Sequence, residues 1–225
     1  MIFLQIVQNS VDSVSVVEGN SVSVMDLLLQ GGFMMIPILL LSVGAIYIFV
    51  ERVLTIRKAA ASPTLFMENI KSMVQKGDIT GARMLCVQNQ TPIARMIEKG
   101  IARIGSPLKN IEVSIENVGK IEIFKLEKNL SLMATISGSA PMLGFLGTVI
   151  GMIQAFIAIA QEEGTVSPKL LSEGIYTAMV TTAAGLFVGI LAYLAYNYLV
   201  SRVQKVIHQM EYTSIDFIDL LQEPR

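Results

Sequence analysis

Three long stretches without a single charged side chain set the limits on what this chain can fold into. Asp26 to Glu51 encloses 24 consecutive uncharged residues, Lys128 to Glu162 encloses 33, and Glu173 to Arg202 encloses 28. A helix needs about 20 apolar residues to cross a bilayer, and in lipid the backbone N–H and C=O groups must find their partners within the segment. Each run is long enough. As a continuous helix the middle run would reach roughly 50 Å against a hydrocarbon core of about 30 Å, so the second span is expected to project from the membrane. Composition agrees: 52% of the 225 residues are hydrophobic and 16% are charged, where a soluble domain carries about a quarter.

The basic residues say which way the spans run. None of the 17 precedes Arg52, thirteen lie from Arg52 to Lys128, Lys169 stands alone between the second and third runs, and three follow from Arg202 onward. The positive-inside rule then places the amino terminus and the loop after the second span outside, and the middle domain and carboxyl tail inside. The resulting plan is an outside tail (1–30), a first span (31–51), a cytoplasmic helical domain (52–128), a second span with a cytoplasmic extension (129–161), an outside loop (162–173), a third span (174–201) and a cytoplasmic C-terminal helix (202–225). The first residues, MIFLQIVQNSVDSV, lack a basic stretch and a long apolar core. They are expected to be retained rather than cleaved as a signal peptide.

Between the first two spans the pattern is that of amphipathic helices in water. Gly77-Asp78 and Gly105-Ser106-Pro107 mark breaks, and Ser62-Pro63 and Thr91-Pro92 mark helix starts, with proline where a first turn tolerates it. From Ile111 the apolar residues recur at three- and four-residue steps straight into the second span, which predicts one long helix. After the third span, Val203, Val206, Ile207 and Met210, then Ile215, Ile218 and Leu221, keep helical spacing. That stripe is expected to pack on the extension of the second span.

Several function classes drop out. No glycine-rich phosphate loop and no strand-rich region are present, which argues against nucleotide hydrolysis. Cys86 is the sole cysteine, so neither a disulfide within the chain nor a cysteine metal site is expected, and no cofactor is implied. The thirteen basic residues of the middle domain are mixed with eight acids, the pattern of a solvated or headgroup-facing surface rather than of a nucleic-acid interface. His208, alone on the C-terminal helix, reads as a surface residue.

The chemistry that remains lies in the second and third spans. At helical spacing Ser137, Pro141, Gly144, Thr148, Gly151 and Ala155 trace one face of the second span, with Gly147 beside it. In the third, Ala178, Thr182, Gly185, Gly189 and Ala192 share a line, with Thr177 and Thr181 a step aside. Small residues let helix backbones approach in lipid, so close packing accounts for them without any conduction. The hydroxyls of Thr148, Thr181 and Thr182 would equally suit the wall of a narrow polar path, although threonine in a membrane helix also bonds its own i−4 carbonyl. No Asp, Glu, Lys, Arg or His lies inside any run. An ion pathway ordinarily contains such a group, so a conducting complex would take it from a partner.

The segments APMLGFLGTVIGMIQAF and GIYTAMVTTAAGLFVGILAYLAYN resemble the signature of the MotA/TolQ/ExbB proton-channel family, a Pro-x-x-Gly-x-x-Gly-Thr-Val-x-Gly helix followed by a Thr-x-x-Gly-Leu helix. Three spans with an outside amino terminus resemble the ExbB/TolQ branch rather than the four-span MotA branch. The resemblance implies an all-α membrane protein that forms a homopentameric ring in the bacterial inner membrane. The ring would surround the single membrane helices of an ExbD/TolR-like protein, each supplying one aspartate, and would energise a TonB-like partner and outer-membrane transport. A TolQ-like role in envelope maintenance, or a gliding-type motor, would use the same scaffold. On this chain the resemblance makes Thr148 and Thr182 pore-facing hydroxyls, with Thr177 and Thr181 near them. Pro141, Gly144, Gly147 and Gly151 would shape the lumen helix, and Gly185 and Gly189 the third span. Two positions depart from the pattern: Thr177 stands where relatives carry glutamate, and Gly189-Ile190-Leu191-Ala192 replaces a proline-containing Ala-Ile-Pro-Ala. The first implies no acidic relay on this subunit, the second a straighter third helix.

Overall fold

The computed structural model describes residues 31–60, 63–161 and 168–222. The tail at 1–30, Ser62 and the polar turn at 162–167 lie outside the described residues. Among the described residues seven helices follow one another: α1 (Met35–Ala59), α2 (Pro63–Gln75), α3 (Ile79–Gln88), α4 (Pro92–Ile101), α5 (Leu108–Glu127), α6 (Leu130–Gln161) and α7 (Pro168–Gln222). Among the described residues there is no strand. Three stretches of the described residues are long and apolar enough to cross a membrane: Met35–Ala59, Leu108–Gln161 and Gly174–Gln222. The chain is thus an all-α membrane protein with helical extensions beyond its spans. It divides into two compact units, one drawn from Met1–Pro37 and Leu143–Ala184, the other from Ile38–Met142 and Gly185–Arg225.

The second, larger unit holds the main core. Local signals set its short helices. Asp78 accepts a hydrogen bond from the Gly81 amide (2.8 Å) to cap α3, and Gly77 just before it takes φ +79°, which glycine adopts without strain. Thr91 caps α4 by accepting from Ala94 N (3.3 Å), with Pro92 in the first helical position. In α4 the buried residues Ile93, Met96, Ile97, Gly100 and Ile101 recur at three- and four-residue steps and form one inward face. A Cβ built on Gly100 would lie 2.7 Å from both Ile115 Cδ1 of α5 and Phe217 Cε1 of α7, so three helices converge at that glycine. Ile70, Ile97, Ile115, Met133, Leu199 and Phe217 are almost completely buried, each contributing about 1.5–3 kcal/mol of burial. Cys86 is buried in the same core, and burial pushes its thiol up to about 12.

Two features differ from the sequence reading. The helix expected to run unbroken from Ile111 into the second span is interrupted at Lys128 and Asn129, where Lys128 is extended (ψ 137°) and Asn129 is left-handed (φ 65°). Asparagine tolerates that conformation better than other side chains. The carbonyl that the break frees on Lys125 accepts from Arg52 Nη1 (3.1 Å), and Asn129 donates to Glu51 Oε2 (3.2 Å). Apolar periodicity carries no trace of these contacts from α1. The second difference concerns the C-terminal stripe. Val203, Val206 and Met210 are buried as expected, but the stripe continues through Thr213 and Phe217, leaving Ile215 exposed. Steps of three and four from Met210 lead to Thr213 and Phe217, and core contact with α4 and α5 selects that line.

Glu122 of α5 is only 3% exposed and receives hydrogen bonds from Arg95 Nη2 (2.6 Å) and Lys125 Nζ (2.7 Å). Burial pushes its carboxyl up, but the bonds from Lys125 and Arg95 outweigh that and hold it below its ordinary value.

Candidate functional site

In the smaller unit α6 and α7 meet backbone to backbone. On α6 the contact residues are Gly147, Gly151 and Ala155, and on α7 they are Gly174, Ala178 and Thr181, each set a small residue repeated every three or four positions. A Cβ on Gly147 would lie 2.5 Å from Thr181 Oγ1. One on Gly151 would lie 3.0 Å from Ala178 Cβ, and one on Gly174 would lie 2.6 Å from Ala155 Cβ. Gly151 and Gly174 are reciprocal, since each substituted Cβ would also crowd the other's carbonyl oxygen, at 3.2 and 3.3 Å. Lipid gives no hydrophobic drive to bury large side chains, so the contact relies on close backbones.

The four threonines occupy different places along this seam. Thr181 is buried, its hydroxyl donating to its own helix at Ala178 O (2.8 Å) and Thr177 O (3.3 Å). Thr182 is half-buried and donates across the seam to Gly144 O of α6 (2.9 Å). Thr148, one position beyond the interface glycine Gly147, is half-buried and donates back to Phe145 O (2.6 Å). Thr177 is half-buried, its methyl in reach of a Cβ on Gly32 (3.7 Å). Thr148, Thr177 and Thr182 are therefore partly accessible, while Thr181 is enclosed by the helix pair. Gly144 and Gly185 are both buried.

In the larger unit the same two helices make a second close approach. Pro141 lies inside α6 and lacks an N–H, so Ser137 O loses its usual helical donor. Gly189 of α7 faces this point: a Cβ there would collide with the Pro141 ring and come within 3.1 Å of Ser137 O. Only glycine fits. Proline at the corresponding stretch of α7 is absent, and α7 runs for 55 residues without a break.

Gly174 and the Pro141–Gly189 contact escaped the sequence reading. Gly174 stands four residues before Ala178, and that spacing was the available signal. Among the described residues no group of three or more His, Cys, Asp or Glu is placed to hold a metal ion.

The sequence between residues 88 and 212 matches the model of the MotA/TolQ/ExbB proton channel family, more than half of the chain. The chain belongs to that family. It is 30% identical over 194 residues to a biopolymer transport protein ExbB homolog of Methanothermobacter thermautotrophicus, covering 84% of this chain and 67% of the relative. It is 33% identical over 140 residues to the biopolymer transport protein ExbB of Aquifex aeolicus, covering 62% of this chain and 88% of that protein. With the Tol-Pal system protein TolQ of Haemophilus influenzae it shares 37% identity over 86 residues, 38% of this chain and 37% of that one. Both branch names recur among its relatives, so membership of the ExbB/TolQ branch is clear. The family's small-residue signature is the seam where α6 and α7 approach.

Proposed function

We propose that this chain is the ring-forming subunit of an ion-driven motor in the bacterial inner membrane, with its amino terminus periplasmic and its carboxyl terminus cytoplasmic. Five copies surround an ExbD/TolR-like helix whose aspartate carries the ion, and the motor energises TonB-dependent transport across the outer membrane. The observation that carries this reading is the family seam of α6 and α7, flanked by threonine hydroxyls in spans that hold no Asp, Glu, Lys, Arg or His. A partner carboxylate in a nearly dry lumen ionises only beside hydrogen-bonding groups or water, because an unpaired charge in low dielectric is costly. Thr148 and Thr182, whose protons go to Phe145 O and Gly144 O, supply oxygen lone pairs that accept from the protonated carboxyl or from a bridging water, Thr177 extends the polar strip, and Thr181 sits behind them. Pro141, Gly144, Gly147, Gly151, Gly185 and Gly189 hold the two lining helices close.

The similarity to a TolQ supports a second reading, in which the same ring serves envelope maintenance. The identity of the partner protein that co-purifies with the ring separates the two.

The test is the double substitution Thr148→Val and Thr182→Val. Valine keeps the shape and removes the hydroxyl. Loss of the Thr182 bond to Gly144 O costs on the order of 0.6 kcal/mol, too little to break a ring. Native mass spectrometry is expected to find the complex intact while ion-driven transport is abolished. Transport at the wild-type rate would make the threonines packing residues and the ring a non-conducting scaffold.

A further inference from the structure

Within the larger unit, α1 and α7 leave two adjoining hollows. One, of about 420 Å³, is lined mainly by apolar groups, among them Ala45, Phe49, Phe187 and Ala192, with Ser42 beside them, all inside the uncharged stretches of both helices. The other, of about 280 Å³, has an apolar floor at Val53 and Ile56 and carries Arg57, Arg202 and Lys205. Tyr198 borders both hollows. Its ring packs on Phe49 on the apolar side (centroids 6.3 Å apart) and receives the Arg202 guanidinium, 5.1 Å from the ring centre, on the charged side.

The charge of the second hollow is unbalanced. No acid lines it, and neither Arg57, Arg202 nor Lys205 pairs with any described residue. Other cations of this unit are unpaired too, Lys58 and Lys128 among them, but the hollows they border also hold an acid, Glu122 and Glu127 respectively. Three like charges around one small hollow repel each other unless an anion enters. Depth names the class of anion. Arg202 is the first charged residue after the third uncharged run, and Arg57 lies six positions beyond Glu51, about 9 Å along the helix. The polar layer outside the hydrocarbon is about 5–8 Å thick on each side, so Arg202 and Lys205, three positions further on, stand at headgroup level, and Arg57 lies just past its edge with a side chain long enough to reach back into it. A tyrosine between an apolar and a polar compartment is typical of that level.

We infer that the α1–α7 groove is a binding site for an anionic glycerophospholipid, with an acyl chain against Ala45, Phe49 and Ala192 and the phosphate among Arg57, Arg202 and Lys205. The leaflet is the one that meets the polar ends of α1 and α7, the cytoplasmic one in the orientation proposed above. Ion conduction is not required for this assignment. A zwitterionic phosphatidylethanolamine would bring its ammonium against three cations, so phosphatidylglycerol is the preferred occupant.

The three cationic side chains are exposed, and neutral substitutes there leave the core untouched. The full chain, in the complex it forms, is reconstituted in nanodiscs with equal phosphatidylglycerol and phosphatidylethanolamine, and retained lipids are counted by native mass spectrometry. Wild type is expected to retain phosphatidylglycerol preferentially. The R57Q/R202Q/K205Q variant is expected to lose that preference, on the order of fivefold for each charge removed. R57K/R202K keeps the charge and is expected to keep the preference. Lipid retained in the bilayer ratio by wild type, or an unchanged preference in the glutamine variant, would overturn the site. Millimolar inorganic phosphate is expected to leave the lipid bound, and its displacement would reassign the hollow to free anions and overturn the lipid assignment. Because the readout is lipid retention, failure of the motor reading leaves this result intact.

Discussion

The smaller unit and the part of the larger unit that lies outside the uncharged runs are held together by opposite means. In the first, α6 and α7 bring glycines, alanines and Thr181 into contact, while Phe145, Ile153, Phe156 and Met179 point outward. In the second, Ile70, Ile97, Ile115 and Phe217 fill the interior, and charged side chains lie at the surface or in pairs. The difference follows from the solvent. Water drives large apolar side chains together, whereas a lipid tail is as apolar as leucine and leaves close backbone packing and polar contacts to join helices. The core outside the uncharged runs should therefore fail when side chains are made smaller, and the seam of the smaller unit when they are made larger.

The largest effect is expected at Phe217. Replacing it with alanine empties the point where α4, α5 and α7 converge and should cost about 3–5 kcal/mol, read as a fall in the thermal midpoint of the purified protein. A loss below about 1 kcal/mol would show that the end of α7 does not belong to the core, and the contrast would collapse.

The converse test is Gly147→Leu. A Cβ there already meets Thr181 Oγ1 at 2.5 Å and Thr181 Cβ at 2.8 Å, so a leucine must push α6 and α7 apart. Overpacking of this kind costs about 1–3 kcal/mol, and the yield of assembled complex should drop with it. Wild-type yield and stability in this variant would remove the close-backbone account of the smaller unit.

A smaller effect sharpens the description of the larger unit. Glu122→Gln leaves Arg95 and Lys125, both part-exposed and able to regain water, without their shared carboxylate and should cost about 0.5–1.5 kcal/mol at neutral pH. Because the folded carboxyl titrates below its ordinary value of 4.5, its stabilisation is complete above that value and is lost as pH falls through the lower folded one. Wild type should therefore lose stability in that acid window relative to the glutamine variant. Parallel stability curves for the two proteins would show that the pairs contribute nothing.

Most of this architecture was legible in uncharged run length and glycine spacing. The three spans, the break at Gly77-Asp78, the helix start at Thr91-Pro92, and the small faces of the second and third spans depend on local rules that act within a few turns. What those rules missed has a common cause. The break at Lys128–Asn129 is completed by Arg52 and Glu51, more than seventy residues earlier in the chain. Ile215 fits the helical period as well as Phe217 does, and only the convergence of three helices at Gly100 chose between them.

The candidate site divides along the same line. Run length, charge distribution and the Pro-x-x-Gly-x-x-Gly-Thr-Val-x-Gly spacing determined from sequence alone that this is a three-span helical protein with a close-packed seam, because membrane insertion and helix periodicity are properties of consecutive residues. The tertiary structure decided where each threonine sits and what it bonds. Thr181 and Thr182 are neighbours in sequence, yet one is sealed by its own helix pair and the other crosses to the Gly144 carbonyl. A rotation of about 100° per residue separates them, and the position of the facing helix, which no local pattern encodes, turns that rotation into a difference of bonding.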